Sequence, residues 1–312
     1  MTWSHVMAGY DLLDDPQATG EKTAAWLREH GVDDVEVTTV SGAKGSTDFV
    51  RVRMPGSNGR ASGGDAPTLG IIGRLGGLGA RPEQIGFVSD GDGALTALSA
   101  AAKLGQMRRR GDVQLGDVVV ATHVCPHAPT KPHDPVPFMD SPVDIATMNA
   151  YEVDEHMDAV ISVDATKGNR VCNRMGFAIS PTVKEGWILR VADPLLDTAT
   201  QVTGQLPAVL PLSMQDITPY GNQVHHINSI LQPATATAAP VVGLAITTEA
   251  AVAGSATGAT SLISVESAVR FCLEVAKRFG AGRCDFYDPA EFDRLIELYG
   301  PMRQLQTLGA AS

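Results

Sequence analysis

Short, mostly apolar segments recur along this chain and alternate with stretches of helical character. Four of them are strand-like and interrupted by few polar residues, namely residues 69–72, 118–121, 158–163 and 241–246. Strands of this composition are buried on both faces, which is typical of parallel sheets covered by helices. We therefore predict an α/β fold with a three-layer α/β/α architecture and a mainly parallel or mixed central sheet.

Local signals complete the predicted layout of the 312 residues, 44% of which are hydrophobic and can supply a large core. Further strands are predicted over residues 35–40, 48–54 and 85–89, and helices over residues 20–30, 94–107, 141–148, 221–230, 265–279 and 291–299. Residues 125–142 hold six prolines and are predicted to lack regular structure. We predict a single domain over residues 1–312.

Charge and cysteine content exclude several classes of protein. The chain has 24 Lys and Arg against 35 Asp and Glu, a net charge of −11, so we expect no nucleic-acid partner. The apolar segments are far shorter than the roughly 20 residues that span a bilayer, so no membrane association is expected. Four cysteines are too few for a disulfide framework, and residues 1–10 lack a signal-peptide pattern, which favours a cytoplasmic location.

Three predicted strands end in side chains that can ligate a metal. Asp90 follows residues 85–89, His123 follows residues 118–122, and Asp164 follows residues 159–163. Because the carboxyl ends of parallel strands meet at one sheet edge, we predict that these side chains share a divalent metal site, most simply zinc, with manganese as an alternative. Each residue taken singly also fits a local role in a helix cap or a turn.

Candidates for proton transfer are Asp92, which follows Asp90 closely, and the pair His225 and His226. The two histidines fall in a predicted helix, where neighbouring side chains point about 100° apart, so at most one of them can face a site. Asp92 also fits the role of a helix cap.

Several polar residues are candidates for substrate binding. His127 lies in the proline-stiffened segment THVCPHAPTKPH, whose spacing matches no established zinc motif. Lys167 and Arg170 follow Asp164 and could bind a substrate carboxylate. Asp216 and Asn222 lie in SMQDITPYGN, which has the composition of a binding loop. Solvent-exposed turns explain Lys167 and Arg170 equally well.

Long motifs carry a resemblance to a bacterial and archaeal family of unknown function. They span nearly the whole chain: GSTDF, APTLGIIGRLGGLGARP, SDGDGA, ATHVCPHAPT, TKGNR, SPTVKEG, QDITPYGN and ILQPATAT. This resemblance implies no particular activity.

The order of elements is also similar to that of the co-catalytic zinc aminopeptidases of the phosphorylase/hydrolase-like fold. In that family a strand ends in a metal-bridging Asp that opens an alanine-rich helix, as Asp90 does in VSDGDGALTAL. The resemblance implies metal ligation by Asp90 and Asp164 and, by position only, by His123. The family's first ligand His, its Glu pair and its last ligand His have no counterpart here, so a two-metal site does not carry over whole.

Three functions remain open at this point. The first is a metal-dependent hydrolase that cleaves an amide bond in a small peptide-like or amino-acid-derived substrate. The second is a non-catalytic metabolite-binding module on a degenerate peptidase scaffold. The third is a metal-free racemase-type enzyme that uses Cys125 and Cys172 as a pair of bases. A homo-oligomer with closed symmetry is expected in each case.

Overall fold

The protein folds around a mixed ten-stranded sheet with helices on both sides. The structure is a computed structural model that describes residues 1–74, 76, 86–134, 137–166, 172–250 and 259–309. Its strands are β1 Asp34–Gly42, β2 Gly45–Met54, β3 Leu69–Gly73, β4 Val118–Val124, β5 Thr130–Lys131, β6 Phe138–Met139, β7 Ala159–Ala165, β8 Gly176–Ile179, β9 Val183–Lys184, β10 Trp187–Ile188, β11 Ala208–Val209 and β12 Val241–Thr247.

The helices alternate with the central strands. They are α1 Trp3–Asp14, α2 Gly20–Glu29, α3 Asp92–Arg109, α4 Ile145–Glu152, α5 Asp193–Thr203, α6 Leu262–Gly280 and α7 Pro289–Tyr299. Short 3₁₀ helices cover Arg60–Ser62, Ser89–Gly91, Gln215–Ile217, Gln232–Thr235 and Arg303–Gln306.

The sheet has a parallel centre and antiparallel flanks. Its main strand order is β1-β2-β4-β3-β7-β12-β8-β11, while β9 pairs with β12 and with β10. Strands β4, β3, β7 and β12 run parallel. Strand β2 pairs antiparallel with β1 and β4, and β8 pairs antiparallel with β12 but parallel with β11. The predicted mixed α/β sheet is confirmed.

Neighbouring residues of β3 show why the central strands are apolar throughout. Ile71 packs into the apolar cluster formed with α1, α2, α3, α5 and α6. Ile72 packs on the opposite face, into a second cluster that includes Ile230 and Leu231. Because β3 is covered on both faces, each of its side chains must be compatible with a core.

Two predicted elements are wrong in the structure. Residues 86–88 form no strand, and Ser89–Gly91 is a 3₁₀ helix that leads into α3, so Asp90 does not end a strand of the sheet. Residues 221–230 form turns rather than a helix. There the Asp216 carboxylate accepts the backbone N–H groups of residues 227 and 228, a local alternative to helical hydrogen bonds.

Other predictions need smaller corrections. The proline-rich segment 125–142 contains the two-stranded hairpin β5–β6. The helix predicted over 141–148 begins four residues later, because Asp144 caps it by accepting the N–H of Thr147 at 2.7 Å. Helices α1 and α5 were not predicted. In the part of the chain that the structure describes, no helix is both long and apolar enough to cross a membrane.

Candidate functional site

Three side chains from adjacent parallel strands lie side by side at the carboxyl edge of the sheet. Arg74 follows β3, His123 is in β4 and Asp164 is in β7. The pairings Gly73 with Val163 and Ile72 with Ala121 place Arg74 in register between the other two. Residues in register on neighbouring strands point to the same face, so the three side chains share one face of the sheet. All three are buried.

Helix α4 covers this face and supplies the partners of Arg74 and His123. Glu152 Oε2 lies 3.2 Å from Arg74 Nε, and Glu152 Oε1 lies 2.7 Å from His123 Nδ1. Arg74 Nη2 donates to the Asn149 side-chain oxygen. Arg74 and Glu152 are both 0% exposed. The guanidinium therefore offsets the burial of a carboxylate that lies at the carboxyl end of α4, where the helix dipole disfavours negative charge.

The hydrogen bonds of His123 fix its tautomer. The backbone N–H of Gly76 donates to His123 Nε2 at 3.1 Å, so this nitrogen acts as the acceptor and carries no proton. His123 Nδ1 must then carry the proton and donate it to Glu152. A side chain at residue 76 would clash, because its Cβ would lie 1.4 Å from the His123 carbonyl oxygen. The imidazole is neutral and both of its nitrogens are engaged.

Asp164 has an environment that favours its protonated form. Its Oδ2 accepts from Ser229 Oγ at 2.8 Å and its Oδ1 accepts from the N–H of Ala165 at 2.7 Å. Burial raises the pKa of Asp164 to about 6, although these hydrogen bonds and the charge of Arg74 oppose the rise. The pKa of Asp164 is therefore close to neutral pH, where a general acid or base is most effective.

Asp92 is brought close to this cluster by the position of α3. It is the first residue of α3, it is buried, and its charge contributes to the raised pKa of Asp164. Gly93 allows the helix end to approach the sheet, since a Cβ there would lie 2.5 Å from the Arg74 carbonyl oxygen. The structure thus places Asp92, a predicted proton-transfer residue, near Asp164.

The predicted metal set of Asp90, His123 and Asp164 does not fit a metal ion in this arrangement. Both nitrogens of His123 and both oxygens of Asp164 are used in hydrogen bonds. The charge of Arg74 acts on Asp164, and a guanidinium disfavours a cation beside it. Among the described residues, no group of three or more His, Cys, Asp or Glu side chains is arranged to hold a metal.

A cavity of about 1740 Å³ opens beside the cluster. Its wall includes Asp90, Asn149, Tyr220, Ser229 and Gln232. Typical small-ligand pockets measure about 300–1,000 Å³, so this cavity has room for an extended ligand. Asp164 is not part of the described wall, and Ser229 connects it to the cavity.

The other predicted histidines differ in their surroundings. His225 is exposed. The His226 ring lies 3.0 Å from the Thr218 carbonyl oxygen and packs against the Tyr220 ring, with 4.5 Å between centroids. Because residues 221–230 are not helical, the predicted angle of about 100° between the side chains of His225 and His226 does not apply. His127 is exposed as well.

The predicted binding loop is held together by its own polar residues. Asp216 is buried and accepts from Ser213, Ile227 and Asn228. Asn222 donates to Thr218 at 2.7 Å. Both side chains stabilise the loop that carries Tyr220. Lys167 and Arg170 lie outside the described residues.

Sequence reasoning missed five residues of this site: Arg74, Asn149, Glu152, Tyr220 and Ser229. Arg74 was within reach of sequence reasoning because, like His123 and Asp164, it lies at the carboxyl end of a predicted strand. Asn149 and Glu152 belong to a helix whose packing partner the sequence does not reveal.

The two cysteines considered as a base pair lie in different apolar clusters: Cys125 belongs to the one with Val88 and Ala128, and Cys172 to the one that contains Ile72. Burial raises the pKa of Cys125 to about 11 and also raises the pKa of Cys172. Both thiols are protonated at neutral pH, which argues against the racemase-type mechanism.

Comparison with known proteins supports the fold. Among solved structures, a mutant of tomato leucine aminopeptidase is similar, with a TM-score of 0.50 and 14% sequence identity over 87% of this chain. The match covers 61% of the aminopeptidase chain. No curated protein matches the sequence. Residues 38–309 match the family described as "Protein of unknown function (DUF1177)", and the chain belongs to that family.

Proposed function

We propose that this protein is a hydrolase that cleaves an amide bond in a small peptide-like or amino-acid-derived substrate. The observation that carries the proposal is a buried acid, Asp164, joined by a 2.8 Å hydrogen bond to a side chain on the wall of a large cavity. This arrangement lies at the carboxyl ends of parallel strands, where α/β proteins bind their ligands. The fold shared with an aminopeptidase supports the same class of reaction.

Amide hydrolysis requires a group that takes a proton from the nucleophile and returns it to the leaving nitrogen. A carboxyl group with a pKa of about 6 can do both near neutral pH. Asp164 is assigned this role, and Asp92 contributes by raising its proton affinity.

The Arg74–Glu152 pair has a positioning role in this proposal. The guanidinium is fully buried, so it cannot bind a substrate carboxylate in the cavity. It holds Glu152, which in turn orients the neutral His123 ring. The cavity wall around Asn149 is thereby kept in place.

The test is a panel of dipeptides and cyclic amides assayed for release of product by the wild-type protein and by Asp164→Asn. We expect the variant to lose at least about 100-fold in kcat, the usual range for a general acid–base residue. Asp112→Asn is the control, because Asp112 forms an exposed ion pair with Lys277. Full activity in Asp164→Asn would overturn the assignment. Saturable binding of these compounds without product would support the metabolite-binding module instead.

Zinc dependence is tested separately by elemental analysis of the purified protein with Asp90→Ala and Asp164→Ala. The hydrogen bonds described for His123 and Asp164 lead us to expect no stoichiometric metal held by these residues. Near-stoichiometric zinc or manganese that is lost in both variants would restore the predicted metal set. A homo-oligomer in the cytoplasm, free of nucleic-acid and membrane partners, remains part of the proposal.

A further inference from the structure

Ser229 occupies the position between Asp164 and the cavity. Its hydroxyl donates to Asp164 Oδ2 at 2.8 Å, and the residue itself is half-buried and lines the cavity. Asp164 is not part of the described cavity wall. A substrate in the cavity can therefore contact Ser229, whose hydroxyl is hydrogen-bonded to the Asp164 carboxylate.

The backbone around Ser229 is anchored by buried neighbours. Ile230 and Leu231 pack into the apolar cluster under the sheet. The Ser229 carbonyl accepts from the N–H of Gln232 at 3.0 Å, and the carbonyl of Gln232 accepts from Asn149 at 3.0 Å. The hydroxyl is thus held toward Asp164 by a fixed turn, as a nucleophile must be held toward its base.

Tyr220 lines the same cavity as Ser229, and the two side chains are close enough to interact. Burial raises the pKa of Tyr220 to about 12, and the Ser229 hydroxyl opposes the rise. The phenol therefore stays protonated at neutral pH beside the serine.

From this arrangement we propose that Ser229 is the nucleophile of the hydrolase, with Asp164 as its general base; this rests on the proposed function. The serine Oγ attacks the amide carbonyl carbon and transfers its proton to Asp164. Asp164 returns that proton to the nitrogen as the C–N bond breaks, which leaves an acyl ester on Ser229 and a free amine. Water then attacks the ester and gives a proton to Asp164, which passes it to the departing serine oxygen. The products are a carboxylic acid and the regenerated serine.

A second serine–aspartate pair, Ser213 and Asp216, has the same hydrogen bond but lies outside the described cavity wall. Ser213 Oγ donates to Asp216 at 2.9 Å, much as Ser229 does to Asp164. Asp216 also accepts three backbone N–H groups, and Ser213 is not among the described residues that line the cavity. Ser213 therefore serves as a control: a reagent that modifies any serine hydrogen-bonded to a carboxylate would label Ser213 as well as Ser229.

The test is covalent labelling by an alkyl fluorophosphonate, which phosphonylates activated serines and requires no knowledge of the substrate. Wild type, Ser229→Ala, Ser213→Ala and Asp164→Asn are treated, and the adducts are located by intact-mass and peptide mass spectrometry. We expect one adduct, on Ser229, in wild type and Ser213→Ala, none at that site in Ser229→Ala, and labelling at least tenfold slower in Asp164→Asn. Circular dichroism verifies that each variant is folded. Failure to label Ser229 in the folded wild type, or labelling of Ser213 instead, overturns the proposal.

Amide hydrolysis by the same proteins separates this inference from the proposed function. Full kcat in Ser229→Ala would show a hydrolase with a different nucleophile. Labelling of Ser229 without hydrolysis of any amide would leave the nucleophile in place and overturn the amide substrate class. If the wild-type protein showed neither labelling of Ser229 nor hydrolysis of any amide, both the nucleophile and the proposed function would be overturned.

Discussion

The buried charge of Arg74 in the candidate site is compensated by the carboxylate of Glu152. Arg74 faces Glu152 at 3.2 Å, and its charge also acts on Asp164. Burying such a pair adds little net stability, because the loss of hydration offsets the attraction between the charges. Removing one partner is different, since the other charge is then left without compensation.

We predict that Arg74→Met lowers the free energy of unfolding by about 3–5 kcal/mol, the usual cost of breaking a buried ion pair. The variant leaves Glu152 buried with only His123 and no cation beside it. Urea unfolding followed by circular dichroism measures the change.

The control is the double variant Arg74→Met with Glu152→Gln, in which the glutamine oxygen still accepts from His123. We expect it to be more stable than Arg74→Met alone. If adding Glu152→Gln gave no recovery, the loss would come from packing rather than from charge.

Residue identities at the site were predictable only where a strand end carries an ionisable side chain. His123 and Asp164 were found in this way, and the structure places both at the expected edge. Ser229 gives no such signal, because its role depends on a turn that brings residue 229 beside residue 164. Asp90 was misplaced because the strand expected before it does not form over residues 86–88.

At the level of elements, the contact between α3 and the strand ends is backbone to backbone. Gly93 lies in the first turn of α3, and a Cβ there would lie 2.5 Å from the Arg74 carbonyl oxygen and 2.6 Å from that of Val163. The helix start is thereby fixed against β3 and β7.

We predict that Gly93→Ala destabilises the protein by about 1–3 kcal/mol through overpacking, although alanine normally favours a helix over glycine. Thermal unfolding measures the effect. Gly9→Ala in α1 is the matched control, because its nearest contact is the end of the flexible Leu95 side chain at 3.0 Å. A Gly93→Ala protein as stable as Gly9→Ala would contradict the close contact.

Element prediction succeeded where hydrophobicity alone determines the structure, as in β3, β4, β7 and β12. It failed over residues 221–230, where the buried Asp216 carboxylate of the preceding 3₁₀ helix accepts backbone N–H groups. A sequence pattern with helical spacing does not reveal such a competing hydrogen-bond acceptor.

For the whole molecule, two buried groups give the unfolding free energy opposite pH dependences. Burial raises the pKa of Asp164 to about 6, so its contribution to stability is complete below about pH 4 and is lost as pH rises through 6. Burial and the nearby His30 lower the pKa of His5 to about 4, so its contribution is complete above pH 6.5 and is lost as pH falls toward 4.

We predict that Asp164→Asn gains stability relative to wild type as pH rises from 4 to 6.5, by on the order of 3 kcal/mol. His5→Gln is expected to gain stability relative to wild type as pH falls from 6.5 to 4, because only the wild type then has to protonate a buried histidine. Denaturant melts across this range measure both differences. A pH-independent difference for either variant would show that its group titrates normally in the folded protein.

The strand order of the sheet has a consequence for the protein during its synthesis. Strand β7 is flanked by β3 and by β12, and β12 is translated about eighty residues after β7, later even than β8, which also needs β12 as its neighbour. At a translation rate of about 5–20 residues per second, the backbone edge of β7 that later pairs with β12 has no partner strand for roughly 4–16 s. A bare edge of this kind is a template for intermolecular pairing. Nascent chains that have not yet reached residue 241 therefore expose the edge that a ribosome-associated chaperone would have to shield.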